Sequence, residues 1–408
     1  MDRIILHIDV NNAFLSWTAI DMLNKGSKID IRNIDAVIGA DPKSRRGVVL
    51  AKSVSAKKKG IITGEPIINA LRKCPNLISY PPNFRLYEQM SNKLFSLLEK
   101  YSPDIEVFSI DECFIDYTKV KNLHGDELSF ASKISKEIKD TLGFTVNIGI
   151  GNNKLCAKMA SDFSKPDKIH TLYEHEIKEK LWPLPIEELL WVGKKTSSKL
   201  RDLGIDTIGD LANYNYDLLY KRFKNQAIKM VEAANGIDSS PVISTKEDSK
   251  GISNSTTLEN DLEDKKDLYH VIDALCDNLA IELRSMDKYT TVVAVSLKDT
   301  NFHSYSHQVT LTNATNSTDE IIKIAHKLLD EMWKGEAIRL VGVRLNNFVT
   351  TPNHQISLFE PIELVDKNEK LDKTVDAIKN KYGSKALKKA SLVDNKINKK
   401  YGEIWTKI

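Results

Sequence analysis

Residues 105–117 read IEVFSIDECFIDY and place two adjacent acidic residues, Asp111 and Glu112, between two short runs of strand-forming residues. Neighbouring residues of a regular strand point to opposite faces, so two side chains that act on one ligand need a turn or bulge there. The stretch therefore predicts two strands joined by a tight bend, with both carboxylates at its tip. Two carboxylates held together repel each other, and a divalent cation offsets that repulsion. The alternative is an acidic surface turn without a ligand.

A third acidic residue, Asp9, lies near the end of the almost continuously apolar run RIILHIDV at residues 3–10. Such a run is typical of a strand that is buried on both faces, with its charge where the strand emerges. Apolar residues at helical spacing follow directly, and Asn12 is the candidate N-cap of that helix. An acid beside a helix N-terminus suits a site for a cation and a phosphate, although Asp9 could also serve only as a cap.

The composition describes an ordinary globular protein of several domains. The chain has 408 residues, of which 41% are hydrophobic and 28% charged, and its formal net charge of +3 is too small to indicate a nucleic-acid partner by itself. Its four cysteines are scattered, without metal-finger spacing, which predicts a reduced cytoplasmic protein without structural disulfides. The sequence shows no signal peptide and no apolar run of transmembrane length.

The order of patterns predicts the domain organisation. Strands alternate with helices up to about residue 168, which predicts an α/β layer. Short helices follow, and Gly193, Lys194 and Lys195 open a glycine-bearing helical hairpin whose backbone N–H groups could bind a phosphate. An ordinary helical hairpin is the alternative. The polar residues 237–253 indicate a linker, and a βαββαβ unit follows it.

Taken together, these residues resemble the Y-family DNA polymerases, in particular those of the bacterial DNA polymerase IV type. The resemblance covers about residues 1–360. The motifs that carry it occur in order along the chain: IDVNNAF at residues 8–14, SIDE at residues 109–112, GIGNNKLCAK at residues 149–158 and SKP at residues 164–166.

The resemblance implies a multidomain α/β and α+β fold, a right-hand polymerase with a ferredoxin-like palm. Its implied domains are a palm at residues 1–30 and 70–168, small fingers at 31–69 with Arg45 and Arg46 on a hairpin, a helical thumb with a helix-hairpin-helix at 169–236, a linker at 237–253, a βαββαβ little finger at 254–350 and a C-terminal tail at 351–408. For the Lys-rich residues 360–408, a solvated helix and tail are expected, and contact with DNA is the alternative.

The resemblance also implies a two-metal active site. Asp9, Asp111 and Glu112 would hold two Mg²⁺ ions, together with the carbonyl oxygen of Val10. Two such ions can stabilise the attacking and leaving oxygens of an in-line phosphoryl transfer. All three acids are candidate catalytic residues, and Glu112 would lie nearest the attacking hydroxyl.

The implied nucleotide-binding residues are Asn11, Asn12, Ala13, Phe14, Lys57 and Lys165. Phe14 would pack under the deoxyribose and exclude a 2′-hydroxyl, although it could also be a core aromatic. The chain departs from the family where a Tyr-x-Ala-Arg pattern is common, because Val54 and Lys57 stand at the Tyr and Arg positions. Val54 cannot donate a hydrogen bond, and Lys57 lacks the bidentate fork of arginine.

The implied partners are primer-template DNA, deoxynucleoside triphosphates and the sliding clamp. Gly193, Lys194 and Lys195 would bind DNA phosphates, and residues 355–359 would bind the clamp through Gln355, Leu358 and Phe359. The alternative for this peptide is a strand packed on the little finger. The resemblance further implies a nucleoid-associated monomer without a membrane partner that performs low-fidelity translesion synthesis in DNA repair and damage tolerance.

Two other functions are compatible with parts of this pattern. A nucleotide cyclase shares the strand-end aspartate and the acidic hairpin, but it has no need for a helical hairpin, a basic domain or a clamp peptide. The second function is that of a catalytically silent DNA-binding protein. Val54 and Lys57 leave this function open because they depart from the family pattern, whereas the three intact acids argue against it.

Overall fold

The computed structural model describes residues 3–40, 47–245, 248–351, 362–383 and 386–387. The predicted fingers hairpin tip with Arg45 and Arg46 lies outside these residues, as does the predicted clamp peptide with Gln355, Leu358 and Phe359. The described residues divide into two compact units, one that ends near residue 246 and one that follows it.

The first unit contains strands and helices in alternation, followed by a helical region. Its strands are β1 (Ile5–Val10), β2 (Ala36–Gly39), β3 (Val49–Lys52), β4 (Ile78–Tyr80), β5 (Ile105–Val107), β6 (Glu112–Asp116), β7 (Val146–Gly151) and β8 (Ile169–Leu172). Its helices are α1 (Ala13–Asn24), α2 (Val54–Lys58), α3 (Ile67–Lys73), α4 (Phe84–Leu98), α5 (Lys121–His124), α6 (Glu127–Leu142), α7 (Lys154–Asp162), α8 (Lys194–Arg201), α9 (Ile208–Ala212), α10 (Tyr216–Phe223) and α11 (Asn225–Ala234).

The central sheet of this unit has the strand order β5-β6-β1-β7-β8. Its pairs are antiparallel except for β7 and β8, which run parallel. All residues of β1 and β7 are buried, so the predicted doubly buried strand at the start of the chain is confirmed. Residues 169–172, which the expected division assigns to the thumb, form β8 and therefore extend this sheet.

Helix α7 lies directly against strand β7 because Gly149 leaves no side chain between them. A Cβ atom on Gly149 would lie 1.9 Å from the carbonyl oxygen of Ala157 and 2.4 Å from the backbone nitrogen of Ser161. This close approach positions the side chains of α7 beside the end of β1.

A smaller sheet of order β3-β2-β4 lies beside α2 and α3. The antiparallel pairing of β2 and β3 confirms the predicted hairpin, and β4 adds a parallel strand that the sequence patterns did not indicate. Its own small core contains Val37, Val49 and Ile67. This sheet and α2 provide one wall of the cavity described below.

The linker prediction at residues 237–253 needs correction at both ends. Its first part is hydrogen-bonded to the first unit, since Arg3 Nη2 donates to Ser240 O at 3.0 Å and Ile243 N donates to a carboxylate oxygen of Glu106 at 2.9 Å. Its last residues, from Gly251, already belong to a strand. A polar composition indicates exposure to solvent, but it does not reveal hydrogen bonds to distant residues.

The second unit is an antiparallel sheet with two helices packed on it. Its strands are β9 (Gly251–Leu262), β10 (Tyr289–Asp299), β11 (Ser304–Thr315) and β12 (Ile338–Val349), and its helices are α12 (Lys265–Ser285), α13 (Thr318–Met332) and α14 (Ile362–Tyr382). The sheet order is β11-β10-β12-β9. The predicted βαββαβ unit is thereby confirmed, as is the mixed α/β and α+β fold class. No described helix is long and apolar enough to cross a membrane.

Candidate active site

The acidic bend forms as the sequence predicts. Strands β5 and β6 pair antiparallel, and the backbone N–H groups of Phe108 and Ser109 both donate to the carbonyl oxygen of Glu112, at 3.0 and 3.1 Å. Asp111 lies in the bend, where its carboxylate accepts a hydrogen bond of 2.7 Å from the hydroxyl of Ser109. Glu112 is the first residue of β6, so the two adjacent acids belong to different local structures, one to the bend and the other to the strand.

Asp9 meets this pair through the register of the sheet. It lies opposite Glu112 in the pairing of β1 with β6, and the next backbone nitrogen, that of Val10, donates to the carbonyl oxygen of Asp111 at 3.1 Å. All three acids line a single cavity of about 460 Å³. The structure therefore brings together the three carboxylates that the sequence places far apart.

The pKa values of the two adjacent acids are shifted in opposite directions. Burial, followed by the negative charges of Asp9 and Glu112, raises the pKa of Asp111 above its usual value, although the hydrogen bond from Ser109 opposes this. Burial also acts to raise the pKa of Glu112, but hydrogen bonds from His7 and Lys158 outweigh it and hold this pKa at about 2. Glu112 is thus a stable anion at neutral pH.

Two lysines lie among these carboxylates. Lys158 Nζ donates to Glu112 Oε2 at 2.8 Å and lies 3.7 Å from Asp9 Oδ2. Lys165 pairs with Asp9 and also with Asp162, the latter at 2.8 Å. The two ammonium groups offset the repulsion between the acids, and Lys165 reaches the cavity as the resemblance implies.

His7 and Lys158 also contact the carboxylates, although no sequence motif predicts a role for either. The buried imidazole of His7 lies between Ser161 Oγ, 2.8 Å from Nδ1, and Glu112 Oε2, 3.2 Å from Nε2. Strand alternation offered a signal for His7, because residues 7 and 9 share one face of β1. For Lys158 the sequence showed only that it lies on α7; which carboxylate it contacts depends on how α7 packs on β7.

The donor set fits a hard divalent cation. Three carboxylates line the cavity together with Val10, and carboxylate and backbone carbonyl oxygens are the kinds of ligand that such a cation accepts. In the part of the chain that the structure describes, no group of three His, Cys, Asp or Glu side chains has the geometry of an assembled metal site. Burial and the clustering of like charges raise the pKa of Asp111, and a bound cation would relieve the repulsion between these charges.

Phe14 is held in a fixed orientation at the wall of the same cavity. Its ring stacks on Tyr87 with the centroids 4.4 Å apart and the planes 8° apart, and Phe84 meets it edge-on at 6.2 Å. The ring is half-buried, so it is both packed on the core and accessible from the cavity. The two interpretations of Phe14 are therefore compatible with each other.

The three residues before Phe14 also line the cavity. Asn11 is buried, and its side-chain amide donates to Thr145 Oγ1 at 3.1 Å. The prediction that Asn12 caps α1 is wrong for its side chain, which makes no capping hydrogen bond. Asn12 does occupy the N-cap position, but its backbone is left-handed, with φ 49° and ψ 50°, rather than extended as in a side-chain cap.

The fingers region contributes Val54 and Lys57 from α2, and both are exposed. The cavity is also lined by Lys52 and Thr63, which the sequence analysis did not single out. The ammonium group of Lys52 donates to Thr63 Oγ1 at 2.9 Å. The alternation of β3 places residue 52 on the face opposite Ala51, but only the folded structure shows that this face lines the cavity.

The glycine-bearing hairpin lies outside this cavity. Gly193 is the N-cap of α8, and Lys194 and Lys195 are exposed in its first turn. Gly193 and Lys194 line a separate open pocket of about 600 Å³ that also includes acidic side chains, those of Glu187 and Asp202. The structure thus separates the predicted phosphate-binding hairpin from the three carboxylates.

Family profiles match most of the chain. The profile of the impB/mucB/samB family matches residues 8–162, that of its C-terminal domain matches residues 249–358, and that of the IMS family HHH motif matches residues 175–205. The first match contains the acidic bend, and the third contains the glycine-bearing hairpin.

Curated relatives match along nearly the whole chain. The DNA polymerase IV of Clostridium acetobutylicum is 48% identical over 97% of this chain and 99% of its own length. The DNA polymerase IV of Alkaliphilus oremlandii is 37% identical over 96% of this chain and 100% of its own length.

Solved structures agree with these relatives. A Y-family DNA polymerase chimera of Dbh and Dpo4 superposes with a TM-score of 0.74, at 27% identity, over 85% of this chain and 100% of its own. An insertion ternary complex of Dbh DNA polymerase superposes with a TM-score of 0.58, at 26% identity, over the same shares. Polymerases of this family use divalent metal ions, in agreement with the donor set. The chain belongs to the Y-family of DNA polymerases, in the group that contains the bacterial DNA polymerase IV.

Proposed function

We propose that this chain is a template-directed DNA polymerase that adds deoxynucleotides to a primer 3′-hydroxyl. The observation that carries the proposal is the single cavity lined by Asp9, Asp111, Glu112, Phe14 and Lys165. Phosphoryl transfer requires anionic oxygen ligands for cations, a cationic contact for the triphosphate and a surface for the sugar, and this cavity contains all three. Low-fidelity translesion synthesis in DNA repair and damage tolerance is the activity that the family resemblance supports.

Asp9, Asp111 and Glu112 are the proposed catalytic residues, and they would hold two Mg²⁺ ions together with the carbonyl oxygen of Val10. When bound, these ions would supply charge stabilisation for the attacking and leaving oxygens. The low pKa of Glu112 keeps its carboxylate anionic and available as a ligand at neutral pH. His7 and Lys158 orient that carboxylate through their hydrogen bonds to its Oε2 atom.

The remaining cavity residues would bind the nucleotide. Phe14 presents a ring face that leaves no room for a 2′-hydroxyl, while Lys57 and Lys165 would contact the triphosphate. Asn11, Asn12 and Ala13 complete the wall between these groups. Because Val54 replaces a hydrogen-bonding residue of the family pattern, the phosphate contacts must come from other side chains.

DNA would be bound outside the cavity. Gly193, Lys194 and Lys195 would contact the phosphates of primer-template DNA, as part of a thumb that begins after β8 and ends at residue 236. The second unit would serve as the little finger and contribute further phosphate contacts. Binding of this kind is independent of sequence and weakens as the salt concentration rises.

A short peptide would connect the enzyme to the sliding clamp. Gln355, Leu358 and Phe359 match the clamp-binding pattern, and these residues lie outside the described ranges. Deletion of residues 354–359 is expected to abolish clamp-stimulated synthesis and to leave basal synthesis unchanged. An equal loss of both activities would indicate a structural role for the peptide and contradict the proposal.

The proposed activity is tested by primer extension with the wild-type protein and Asp111→Asn. We expect extension by the wild type and only background extension by the variant, because one cation ligand is removed. Asp116→Asn is the matched control, because Asp116 lies at the other end of β6 and does not line the cavity. This variant should extend the primer like the wild type. Wild-type levels of extension by Asp111→Asn, or conversion of nucleoside triphosphates to a cyclic product by the wild type, would refute the proposal.

A further inference from the structure

Two lysines of the fingers region, Lys52 and Lys57, line the same wall of the active-site cavity. Lys52 is the last residue of β3, and Lys57 follows on α2. Lys52 is half-buried, whereas Lys57 is exposed. Their side chains therefore bring two positive charges to the cavity that also contains the three carboxylates.

Among the described residues, neither of these ammonium groups forms an ion pair with a carboxylate. Nearby lysines differ in this respect, since Lys59 pairs with Asp35, and Lys73 pairs with Glu65 at 2.8 Å. The hydrogen-bond partner of Lys52 is instead the neutral hydroxyl of Thr63, at 2.9 Å. Within the described part of the chain, neither cation has an anionic partner at ion-pair distance, although Glu65 attracts Lys52 from farther away.

Such an arrangement costs free energy without a ligand. Burial, followed by the positive charge of Lys57, lowers the pKa of Lys52, so its environment disfavours the charged form. An anion that enters the cavity would relieve both effects. Lys158 and Lys165 are already paired with Glu112 and Asp9, whereas the two lysines of the fingers wall have no such ion pair and are therefore the position for an additional negative charge.

We propose that Lys52, oriented by Thr63, is a nucleotide-binding residue that contacts the triphosphate of the incoming deoxynucleotide. This inference rests on the proposed polymerase function and specifies which residues hold the nucleotide there. The ammonium group of Lys52 has three N–H donors, and the bond to Thr63 uses one, so two remain for phosphate oxygens. In the family pattern, a tyrosine and an arginine stand at the positions of Val54 and Lys57. Lys52 and Lys57 would together make the phosphate contacts that this tyrosine and arginine make elsewhere in the family.

The kinetic experiment compares Lys52→Gln with wild type in primer extension. We expect the KM for the deoxynucleotide to rise about tenfold, the effect of losing one charge-assisted hydrogen bond, with a smaller change in kcat. Lys52→Arg keeps the charge and should retain a KM close to wild type. Lys58→Gln is the matched control, because Lys58 is the exposed neighbour on α2 that does not line the cavity, and its KM should not change.

Inorganic tripolyphosphate separates a phosphate contact from a general effect on the cavity. Its affinity, measured by calorimetry without primer extension, should fall in Lys52→Gln and fall less in Thr63→Val, while both variants keep the melting temperature of the wild type. An unchanged KM together with an unchanged tripolyphosphate affinity in Lys52→Gln would overturn the role of Lys52. Absence of extension by the wild type with normal tripolyphosphate binding would instead refute the polymerase function alone.

Discussion

Asp111 and Glu112 are chemically similar neighbours, yet the fold places them in different electrostatic environments. Burial and two like charges raise the pKa of Asp111, whereas hydrogen bonds from His7 and Lys158 outweigh burial at Glu112 and hold its pKa at about 2. The difference arises because Glu112 begins strand β6 beside β1, while Asp111 remains in the bend. Two adjacent acids can therefore bind protons with different affinities although they line the same cavity.

The orientation of Phe14 leads to a prediction about sugar selection. Phe14→Ala removes the ring that lines the cavity, so we expect the ratio of ribonucleotide to deoxynucleotide incorporation to rise by at least about tenfold. The ratio is measured from kcat/KM for each sugar in primer extension.

Phe84→Ala is the control for this prediction. Phe84 meets Phe14 edge-on but does not line the cavity, so its removal should alter sugar selection much less. If Phe14→Ala retained the wild-type ratio, Phe14 would have only a packing role.

Trp191 provides a prediction about backbone strain. It is 65% exposed and has a φ of 69°, a left-handed conformation that costs a bulky residue about 1 kcal/mol. Trp191→Gly should therefore raise the free energy of unfolding by up to about 1 kcal/mol, because glycine adopts this conformation without strain. The measurement is denaturant unfolding monitored by circular dichroism.

Trp191→Ala is the matched comparison, because this variant lacks the ring but still has a Cβ atom, which is strained in the left-handed conformation. Alanine should give no gain in stability. A destabilised Trp191→Gly would show that the exposed ring contributes more through packing than its conformation costs.

At the scale of secondary-structure elements, the contact of α7 with β7 determines the geometry of the site. Gly149 allows this contact, and α7 carries Lys158 and Ser161 toward Glu112 and His7. A displacement of α7 would therefore alter the hydrogen bonds that lower the pKa of Glu112.

Gly149→Ala tests this dependence. The added methyl group would meet backbone atoms of α7 at 1.9 and 2.4 Å, so we expect a loss of about 3 kcal/mol in stability and a loss of primer extension. Thermal unfolding by calorimetry and primer extension measure the two effects.

Gly193→Ala is the matched control for stability. No atom lies within 4 Å of the position that its Cβ would occupy, so its melting temperature should stay close to wild type. A Gly149→Ala protein as stable as Gly193→Ala would show that α7 can move without cost.

At the scale of the whole molecule, the C-terminal segment is more integrated than its composition indicates. The predicted solvated helix is part of α14, which begins at Ile362 and is ion-paired to α12. The side chain of Arg284 is only 7% exposed and forms a bidentate ion pair with Asp376. Its Nε donates to Oδ2 at 2.6 Å, and its Nη2 donates to Oδ1 at 2.9 Å. Lys379 pairs with Asp277 at 2.7 Å. The expected helix is therefore present, and in its described side chains an exposed face is combined with ion pairs to α12.

Asp376→Ala should detach this helix, because it leaves the buried guanidinium of Arg284 without its main partner. We expect a loss of about 3 kcal/mol in local stability, seen as faster amide hydrogen exchange in residues 371–383. Asn380→Ala, an exposed substitution on the same helix, should leave the exchange rates unchanged. Unaltered exchange in Asp376→Ala would show that apolar packing alone holds α14.

Much of this organisation could be predicted from local sequence patterns. Apolar residues at helical spacing predict helices at residues 86–99, 128–142 and 318–332, and α4, α6 and α13 begin and end within about two residues of these bounds. The acidic bend, the buried first strand and the βαββαβ unit were predicted for the same reason, because alternation and helical spacing are local properties of the chain. The short strand β4 was not predicted, since three residues become a strand only by pairing with β2.

The sequence alone identified the residues for which we propose a chemical role: three acids, an aromatic residue after the first strand, and a lysine in the SKP motif. The tertiary structure alone decided their surroundings. It placed Asp9 opposite Glu112, His7 and Lys158 against that carboxylate, and Lys52 beside Thr63 at the same cavity. These contacts join residues far apart in the chain, and they depend on strand register and helix packing, which no local pattern specifies.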